Sequence, residues 1–346
     1  MKFFSNISSS IIVNIFMNGM LDYSCFNIPS LIYTTNNNNS ILVAFSEARK
    51  YNCNDSGYID IVSRTSYDKG LTWTDISILT NKQRIYNYNT TYGDACPVFD
   101  NKNTIHMIYM VNNTYIKYVN KTINNDWSEP YDITRFIKIN DTEQFIGSGH
   151  ASGLFINNEK ILFPIYFGGS AKVIILNTQQ EDQEKWSVSN DIQGCGEGQI
   201  VKLNATHLFI NMRNNNINVF PNYRYGSYSI DNGTTWSSKI QLDLHSPIDG
   251  CEGSTVATNN NKLYFSGPNG LLLRTELYIY KNIDNFIKWI KYKKISEKAS
   301  GYSSMVDLDN NKLGLLYTHS NDIKIIFNSK NISYTIIITS ERDGVT

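Results

Sequence analysis

Residues 66–73 read SYDKGLTW and residues 229–236 read SIDNGTTW, so the two segments share the pattern S-x-D-x-G-x-T-W. In such a pattern the Asp side chain can bond the backbone of a tight turn, the Gly can adopt a positive φ, and the Trp can cover the turn. Residues 282–289, NIDNFIKW, form a third, degenerate copy. The pattern predicts a recurring turn in which the structural residues are Ser66, Asp68, Gly70, Trp73, Ser229, Asp231, Gly233 and Trp236.

The tryptophans give this recurrence a period. The five tryptophans are Trp73, Trp127, Trp186, Trp236 and Trp289, and the steps between them are 54, 59, 50 and 53 residues. A four-stranded propeller blade takes up about 50 residues, so the spacing indicates a small sheet that is repeated radially. The alternative is that Trp serves here only as a common core anchor.

Short β-type segments bounded by Asn, Asp and Gly indicate an all-β chain. They are residues 41–45, 59–62, 104–110, 161–166, 208–212 and 313–317. No amphipathic helix of any length is evident. We therefore predict an all-β, six-bladed β-propeller over residues 12–330, with a sixth blade closed by strands from both chain ends. Residues 1–11 and 331–346 are predicted to be terminal segments, and the second of these can complete a strand.

The composition excludes several classes of protein. The chain has 346 residues, 31 basic and 31 acidic side chains, 41% hydrophobic residues and a sequence pI of about 6.9. It is too apolar for disorder, and it lacks the net positive charge that favours nucleic acid or an anionic membrane surface. No apolar run reaches the roughly 18 residues that a membrane span needs. We therefore expect no nucleic-acid partner and no membrane span.

The cysteines and the N-terminus say little about the cellular compartment. The cysteines are isolated from one another, at Cys25, Cys53, Cys96, Cys195 and Cys251. Without a C-x-x-C pair, neither a zinc knuckle nor a dense disulfide scaffold is expected, and the odd number leaves the redox compartment open. The N-terminal apolar stretch at residues 11–16 has no small-residue cleavage site and is a poor signal peptide. Localisation stays open, with an extracellular, cell-surface or vesicular site favoured.

Nine further segments occur in an order that resembles the sialidases and trans-sialidases of glycoside hydrolase family 33. They are CFNIPSL (25–31), AFSEAR (44–49), DSGYIDIV (55–62), CPVFD (96–100), GHASG (149–153), GEGQIVKL (196–203), GCEGS (250–254), FSGP (265–268) and GYSS (301–304). The resemblance covers residues 12–325. It identifies the recurring turns as Asp boxes of a sialidase propeller and implies exo-α-sialidase activity.

The resemblance also implies which residues act in catalysis. It assigns Tyr302 as the nucleophile, Glu197 as the base that takes its proton, and Asp55 as the acid that protonates the leaving oxygen. A carboxylate nucleophile would meet the substrate's own carboxylate as a like charge, whereas a tyrosine is neutral. Tyrosine has an ordinary pKa near 10, so it needs a neighbouring base.

Arginine suits the substrate carboxylate, because a guanidinium can donate two parallel hydrogen bonds to it. By resemblance Arg213 and Arg274 are two members of a family triad of arginines, and Arg49 lines the pocket beside Asp55. The first triad position departs from the family, which has Arg-Ile-Pro where this chain has Asn27 followed by Ile and Pro. Losing one charge-assisted pair typically costs about 1.5–3 kcal/mol, so a slower enzyme is compatible with the sequence.

We therefore predict hydrolysis of terminal α-linked sialic acids with net retention, without a metal or an organic cofactor. The expected partners are sialylated glycoproteins, glycolipids or oligosaccharides. Two alternatives keep the same site: a weakened or inactive sialic-acid-binding protein, because of Asn27, and a trans-sialidase. A propeller that serves only as a protein-interaction platform is the third alternative, but it gives no reason for the order of the site segments.

Overall fold

The computed structural model describes residues 12–36, 39–80, 89–123, 125–137, 146–180, 185–216, 219–284, 286–320 and 330–339. Within these ranges regular structure is almost entirely β, and helical structure is limited to two short 3₁₀ helices, Met20–Asp22 and Thr134–Phe136. Neither these nor any other described helix is long and apolar enough to cross a membrane. The predicted terminal segment 1–11 and residues 340–346 lie outside the described residues.

The strands follow one another along the whole described chain. The first half contains β1 (Ile12–Phe16), β2 (Cys25–Asn36), β3 (Asn39–Arg49), β4 (Ile59–Ser66), β5 (Ser77–Ile78), β6 (Tyr92–Phe99), β7 (Thr104–Val111), β8 (Tyr115–Thr122), β9 (Tyr131–Asp132), β10 (Ile146–Ser148), β11 (Leu154–Ile156), β12 (Lys160–Phe167) and β13 (Ser170–Asn177). The second half contains β14 (Trp186–Val188), β15 (Ile192–Gln193), β16 (Cys195–Lys202), β17 (Leu208–Asn214), β18 (Asn222–Ser229), β19 (Ile240–Ser246), β20 (Ser254–Ala257), β21 (Leu263–Pro268), β22 (Thr275–Asn282), β23 (Trp289–Asp307), β24 (Lys312–Ser320) and β25 (Asn331–Ile338).

Hydrogen bonding groups the described strands into five sheets. Three sheets have four strands each, in the orders β2-β3-β4-β5, β6-β7-β8-β9 and β16-β17-β18-β19. A six-stranded sheet has the path β10-β12-β13-β14, with β11 paired to β12 and β15 paired to β13. The fifth sheet has seven strands in the order β1-β25-β24-β23-β22-β21-β20. All strand pairs within the sheets are antiparallel, as consecutive hairpins require.

The predicted all-β, propeller-like fold is confirmed, but the predicted number of six separate blades is not what hydrogen bonding gives. The difference arises at β23, which is continuous over 19 residues. Its first part pairs with β22 and its last part pairs with β24, so the strand belongs to two successive sets of strands. The tryptophan period predicted two blades in this region, and the single long strand β23 joins them into one hydrogen-bonded sheet.

The sheets are arranged around a common centre by their innermost strands. β2 lies against β6 on one side and against β23 on the other, while β16 lies between β12 and β20. Both ends of the described chain meet in the same sheet, because β1 pairs antiparallel with β25. Ile15 and Phe16 at the end of β1 are fully buried in a core cluster with residues of β2, β24 and β25.

The recurring turns share most of their hydrogen bonds in the two full copies, including the Asp Oδ1 bond to the backbone N–H four residues on and the Trp Nε1 bond to the Gly carbonyl. In the first, Asp68 Oδ1 accepts from the backbone N–H of Leu71 and Thr72, at 3.0 and 2.9 Å, and Trp73 Nε1 donates to the Gly70 carbonyl at 3.0 Å. Gly70 has a φ of 92°. These local bonds fix the hairpin before the outermost strand. Four tryptophans lie just before or at the start of the outermost strands β5, β9, β14 and β19, and Trp289 starts β23, which lies inside the seven-stranded sheet.

The degenerate copy keeps the turn with different residues. Asp284 Oδ1 accepts from the backbone N–H of Lys288 at 2.7 Å, and Trp289 Nε1 donates to the Phe286 carbonyl at 2.8 Å. Phe286 takes the place of the Gly and has a φ of 65°. Its ring stacks on Phe209 with centroids 5.0 Å apart, a contact that offsets the strain of the left-handed backbone.

Candidate active site

One cavity of about 770 Å³ collects the residues that the sequence singled out as catalytic or substrate-binding. Its wall includes all seven of them: Asn27, Arg49, Asp55, Glu197, Arg213, Arg274 and Tyr302. Asn27, Glu197 and Tyr302 lie on the innermost strands β2, β16 and β23, Arg49 and Arg213 lie on the neighbouring strands β3 and β17, and Asp55 and Arg274 lie in loops. The closed arrangement of sheets therefore brings together side chains that lie far apart in the sequence.

A β-bulge in the innermost strand recurs at four positions of this wall. At each position the inner strand has one more residue than the neighbouring strand between two successive paired residues. The bulges lie at residues 27–30 of β2, 93–96 of β6, 195–198 of β16 and 300–303 of β23. The extra residue breaks the ladder locally and re-aims the side chains beside it. Asp94, Glu197 and Tyr302 all lie inside such bulges, so the bulges present polar groups to the cavity.

Tyr302 and Glu197 form a hydrogen-bonded pair at the base of the cavity. Tyr302 Oη donates to Glu197 Oε1 at 3.0 Å. Arg213 Nη1 donates to Glu197 Oε2 at 3.0 Å and to Tyr302 Oη at 3.3 Å, so a single guanidinium contacts both members. Tyr302 is 7% exposed and Glu197 is 6% exposed, which leaves both in a poorly solvated place that still opens to the cavity.

The surrounding groups favour the ionised form of Glu197 and the neutral form of Tyr302. Burial disfavours the ionised carboxylate of Glu197, but Arg213 and His150 outweigh it and hold its pKa well below the ordinary value. Burial together with the negative charge of Glu197 raises the pKa of Tyr302 well above its ordinary value, although Arg213 and Arg274 oppose this. The free site therefore holds a neutral phenol that donates to an ionised carboxylate.

Arg274 lies beside Tyr302, immediately before β22. Its guanidinium is 5.5 Å from the centroid of the Tyr302 ring, and its Nε is 3.1 Å from Asp249 Oδ2. The backbone carbonyl of Asp249 also accepts from Arg213 Nη2 at 2.7 Å. Asp249 thereby holds two arginines in a common orientation next to the tyrosine.

Arg49 and Asp55 lie on the opposite wall and form an ion pair. Arg49 Nη1 is 2.6 Å from Asp55 Oδ1, and Arg49 also donates to Glu47 Oε2 through Nε at 3.0 Å and through Nη2 at 2.6 Å. Arg49 is 2% exposed, whereas the side chain of Asp55 is 90% exposed. Two carboxylates thus already engage the Arg49 guanidinium, and Asp55 reaches the mouth of the cavity.

A disulfide holds the loop that carries Asp55. Cys25 at the start of β2 is bonded to Cys53, with Cα atoms 5.4 Å apart. The Cys53 carbonyl accepts from Arg49 Nη1 at 2.5 Å. The sequence left this pairing open, because two isolated cysteines among five give no local signal of a partner. Cys96, Cys195 and Cys251 are free and buried.

Asn27 occupies the position at which the family pattern has Arg. It is 1% exposed, it pairs in register with Glu47 of β3, and its Oδ1 has no hydrogen-bond partner among the described residues. The following residue, Ile28, has a φ of 54°, which marks the start of the bulge in β2. A short amide thus stands in the wall next to the buried Arg49 and Glu47.

Sequence reasoning missed a buried histidine that contacts the carboxylate of Glu197. His150 Nε2 is 3.1 Å from Glu197 Oε1 and His150 Nδ1 is 3.3 Å from Asp94 Oδ1, while its ring meets the Tyr302 ring edge-on at 5.3 Å. Burial opposes protonation of His150, but Asp94 and Glu197 outweigh it and raise its pKa to about 10. Burial and the neighbouring carboxylates raise the pKa of Asp94 to about 7.

The same cavity wall contains further groups to which the sequence assigned no role, namely Glu47, Tyr166 and Lys330. Beneath it Glu252 is fully buried, and burial raises its pKa to about 8. The GHASG and GCEGS segments were noted for their resemblance, and that alone gave a hint of His150 and Glu252. Among the described residues no group of three or more His, Cys, Asp or Glu side chains is arranged to hold a metal ion.

A family model described as a BNR repeat-like domain matches residues 28–263 of the chain. The match covers more than half of the sequence and includes the first two recurring turns and most of the site segments. The chain therefore belongs to the BNR repeat-like domain family.

Named relatives specify the family further. A sialidase of Paraclostridium sordellii is 24% identical over 354 aligned residues, covering 86% of this chain and 82% of the relative. A sialidase of Clostridium perfringens is also 24% identical and covers 89% of each chain. The structure of a Hadza microbial sialidase has the same fold, with a TM-score of 0.79 at 22% identity, and covers 95% of this chain and 68% of that one. The predicted sialidase and trans-sialidase family is confirmed, and with it the prediction of a glycosidase.

Proposed function

We propose that this chain is an exo-α-sialidase that hydrolyses terminal α-linked sialic acids through a tyrosyl-enzyme intermediate, with net retention. The observation that carries the proposal is the hydrogen bond of 3.0 Å from Tyr302 Oη to Glu197 Oε1, with Arg213 donating to both. A neutral nucleophile with its base already in contact is the arrangement that a negatively charged substrate needs.

In the first step Tyr302 Oη attacks the anomeric carbon and transfers its proton to Glu197. The bond to the leaving oxygen breaks at the same time, and Asp55 donates a proton to that oxygen. This role requires Asp55 to carry a proton in the complex, so its ion pair with Arg49 has to be given up or weakened when substrate binds. Its 90% exposed side chain at the cavity mouth supports contact with the leaving group.

In the second step Asp55 takes a proton from water, and the resulting hydroxide attacks the anomeric carbon. The bond to Tyr302 breaks, and Glu197 returns the proton to the phenol oxygen. Two displacements at one carbon give net retention. Arg213 and Arg274 bind the substrate carboxylate throughout, and Arg213 also offsets negative charge that develops on Tyr302 during proton transfer.

The proposed substrates are sialylated glycoproteins, glycolipids or oligosaccharides. A fluorogenic sialoside tests the proposal directly, with purified protein assayed in the presence and absence of a chelator. We expect release above that of a Tyr302→Phe variant, no effect of the chelator, and the α-anomer as the first product detected by NMR. Release equal to the variant's would exclude the hydrolase.

A sialic-acid-binding protein without turnover is the second candidate, and Asn27 favours it. The uncharged Asn27 removes one guanidinium from the family's carboxylate site, while the rest of the site is kept. Calorimetric titration with sialic acid separates the two: binding without release identifies the binding protein. An added sugar acceptor distinguishes a trans-sialidase, because transfer then replaces hydrolysis as the main product.

A further inference from the structure

Asn27 stands where the family pattern has an arginine, so the cavity has one positive charge fewer at this position than the pattern implies. Arg49 is the nearest arginine to Asn27 in the sheet, since β2 and β3 are paired there. Its guanidinium is already bound by Glu47 and Asp55. Glu47 alone accepts from two nitrogens of Arg49, so Arg49 stays paired even when substrate weakens its ion pair with Asp55, and it is poorly placed to take over the charge that Asn27 lacks.

Lys330 lies beside Asn27 and comes from the opposite end of the chain. Its carbonyl accepts a hydrogen bond from the backbone N–H of Phe26 at 3.1 Å, which fixes Lys330 next to β2, immediately before β25 begins. Its side chain lines the same cavity as Asn27, Arg274 and Tyr302. The residue is 9% exposed, so the ammonium group is largely removed from bulk water.

Within the described ranges, no carboxylate forms an ion pair with the Lys330 ammonium group. No ion pair or side-chain hydrogen bond joins Lys330 to any residue within the described ranges. Burial, and next the positive charges of Arg49 and Arg274, lower its pKa to about 8, while Asp55 and Cys251 act in the opposite direction. A buried ammonium is normally paired, so this arrangement is destabilising when the cavity holds no anion.

We propose that Lys330 contacts the carboxylate of the bound sialic acid and supplies the positive charge that Asn27 cannot. The inference rests on the proposed function and specifies a substrate-binding residue of the same site. An anion placed between Lys330, Arg213 and Arg274 would be matched by three cationic side chains from three different elements. Lysine binds as a point charge, whereas the two arginines orient the carboxylate.

The test removes the positive charge of Lys330 and keeps an unbranched apolar side chain at that position. Lys330→Met should raise the dissociation constant of sialic acid and lower kcat/KM for a fluorogenic sialoside by about 10–100-fold, the loss typical of one charge-assisted contact. Lys330→Arg should retain most of the wild-type activity. Lys202→Met, at an exposed lysine of β16, is the matched control and should leave both quantities unchanged.

A pH series gives a second readout that a structural role would not produce. Wild-type affinity should fall as the pH rises through about 8, because free Lys330 then loses its proton, whereas Lys330→Arg should keep its affinity to higher pH. The charged and titratable groups that act on the pKa of Lys330 are Arg49, Arg274, Asp55 and Cys251. Asp94 and Glu252 also titrate near this range, so the comparison with Lys330→Arg isolates the lysine.

The outcomes separate this inference from the proposed function. If wild type neither binds sialic acid nor releases the fluorophore, the proposed function fails. If wild type is active and Lys330→Met has unchanged affinity and kcat/KM, the function stands and the role of Lys330 is wrong. Should Lys330→Met fail to fold, identical pH profiles of wild type and Lys330→Arg would overturn the inference by themselves.

Discussion

At the scale of single residues, the environment of Glu197 is the most instructive feature of the site. Its two oxygens contact the phenol of Tyr302, the guanidinium of Arg213 and the imidazole of His150. Each of these groups favours the ionised carboxylate, which explains why it stays charged although it is buried. In the proposed mechanism, a carboxylate with three such partners receives the proton of Tyr302 only as the phenol oxygen bonds to the substrate.

Replacing Glu197 with Gln should therefore affect turnover more than binding. We expect Glu197→Gln to lower kcat by about 10²–10⁴-fold with a small change in KM, because the amide cannot accept the tyrosine proton. Steady-state kinetics with a fluorogenic sialoside measures both constants. Glu129→Gln, at an exposed surface position, serves as the control. A change confined to KM would speak against Glu197 as the base.

Gly250 is a second single residue on which the site depends. It has a φ of 68°, and a Cβ built there would lie 2.5 Å from Arg213 Nε. Gly250→Ala should displace Arg213 and weaken binding of sialic acid. Gly169→Ala is the matched control, because Gly169 has a φ of 85° with nothing near the added carbon.

Both alanine variants should lose about 1–2 kcal/mol of folding free energy from the left-handed backbone. Only Gly250→Ala should raise the dissociation constant of sialic acid, as measured by calorimetric titration. Equal affinity in the two variants would mean that the close packing against Arg213 is unimportant for the substrate.

At the scale of elements, the bulges of the inner strands do most to build the site. A regular strand alternates its side chains strictly between two faces. The extra residue in β6, β16 and β23 breaks this alternation at Asp94, Glu197 and Tyr302 respectively. Each inner strand can therefore keep apolar residues in the packed sheet and still present a charged or phenolic group to the cavity.

The loop between β3 and β4 is the element that depends on the disulfide. The bond between Cys25 and Cys53 spans 28 residues and holds the chain beside Asp55. A double variant, Cys25→Ala with Cys53→Ala, should lose about 3–4 kcal/mol of folding free energy by the loop-entropy estimate. Its kcat/KM should also fall at temperatures well below unfolding, because Asp55 is then less well positioned.

Denaturant unfolding and kinetics at low temperature measure the two effects separately. Wild type treated with a reductant under conditions that open the bond should behave like the double variant. If reduced wild type keeps its stability and its kcat/KM, the disulfide does not position the loop.

At the scale of the whole molecule, pairing of the two chain ends closes the arrangement of sheets. β1 is an edge strand that pairs only with β25 among the described strands, yet Phe16 at its end is fully buried and stacks on Phe26 of β2 at 5.6 Å. The contact joins the first strand to a strand that carries Asn27. This aromatic pair is one of the contacts that join the closure of the sheets to the site.

Truncation of that aromatic side chain should destabilise the entire fold. Phe16→Ala should lower the free energy of unfolding by about 3–5 kcal/mol, the usual cost of removing a buried aromatic ring. Ile12→Ala is the control from the same strand, because Ile12 is 54% exposed, and its effect should be small. Similar unfolding midpoints for the two variants in denaturant would show that β1 contributes little to closure.

The local structure of this protein follows from short-range patterns in its sequence. The recurring turns depend on hydrogen bonds within eight residues, and the tryptophan period follows from repeating one hairpin unit, so both are readable without the fold. The sequence also placed Tyr302, Glu197, Asp55 and the arginines among the site residues, because their neighbouring segments follow the order of a known family.

The number of sheets and the groups that complete the site depend instead on long-range contacts. β23 runs on through the expected boundary between two sheets, and nothing in its composition marks where one sheet ends. His150 and Lys330 become neighbours of Glu197 and Asn27 only when the strands close around the cavity. Their positions depend on bulges, register and the meeting of distant segments, and these long-range relations leave no periodic signal in the chain.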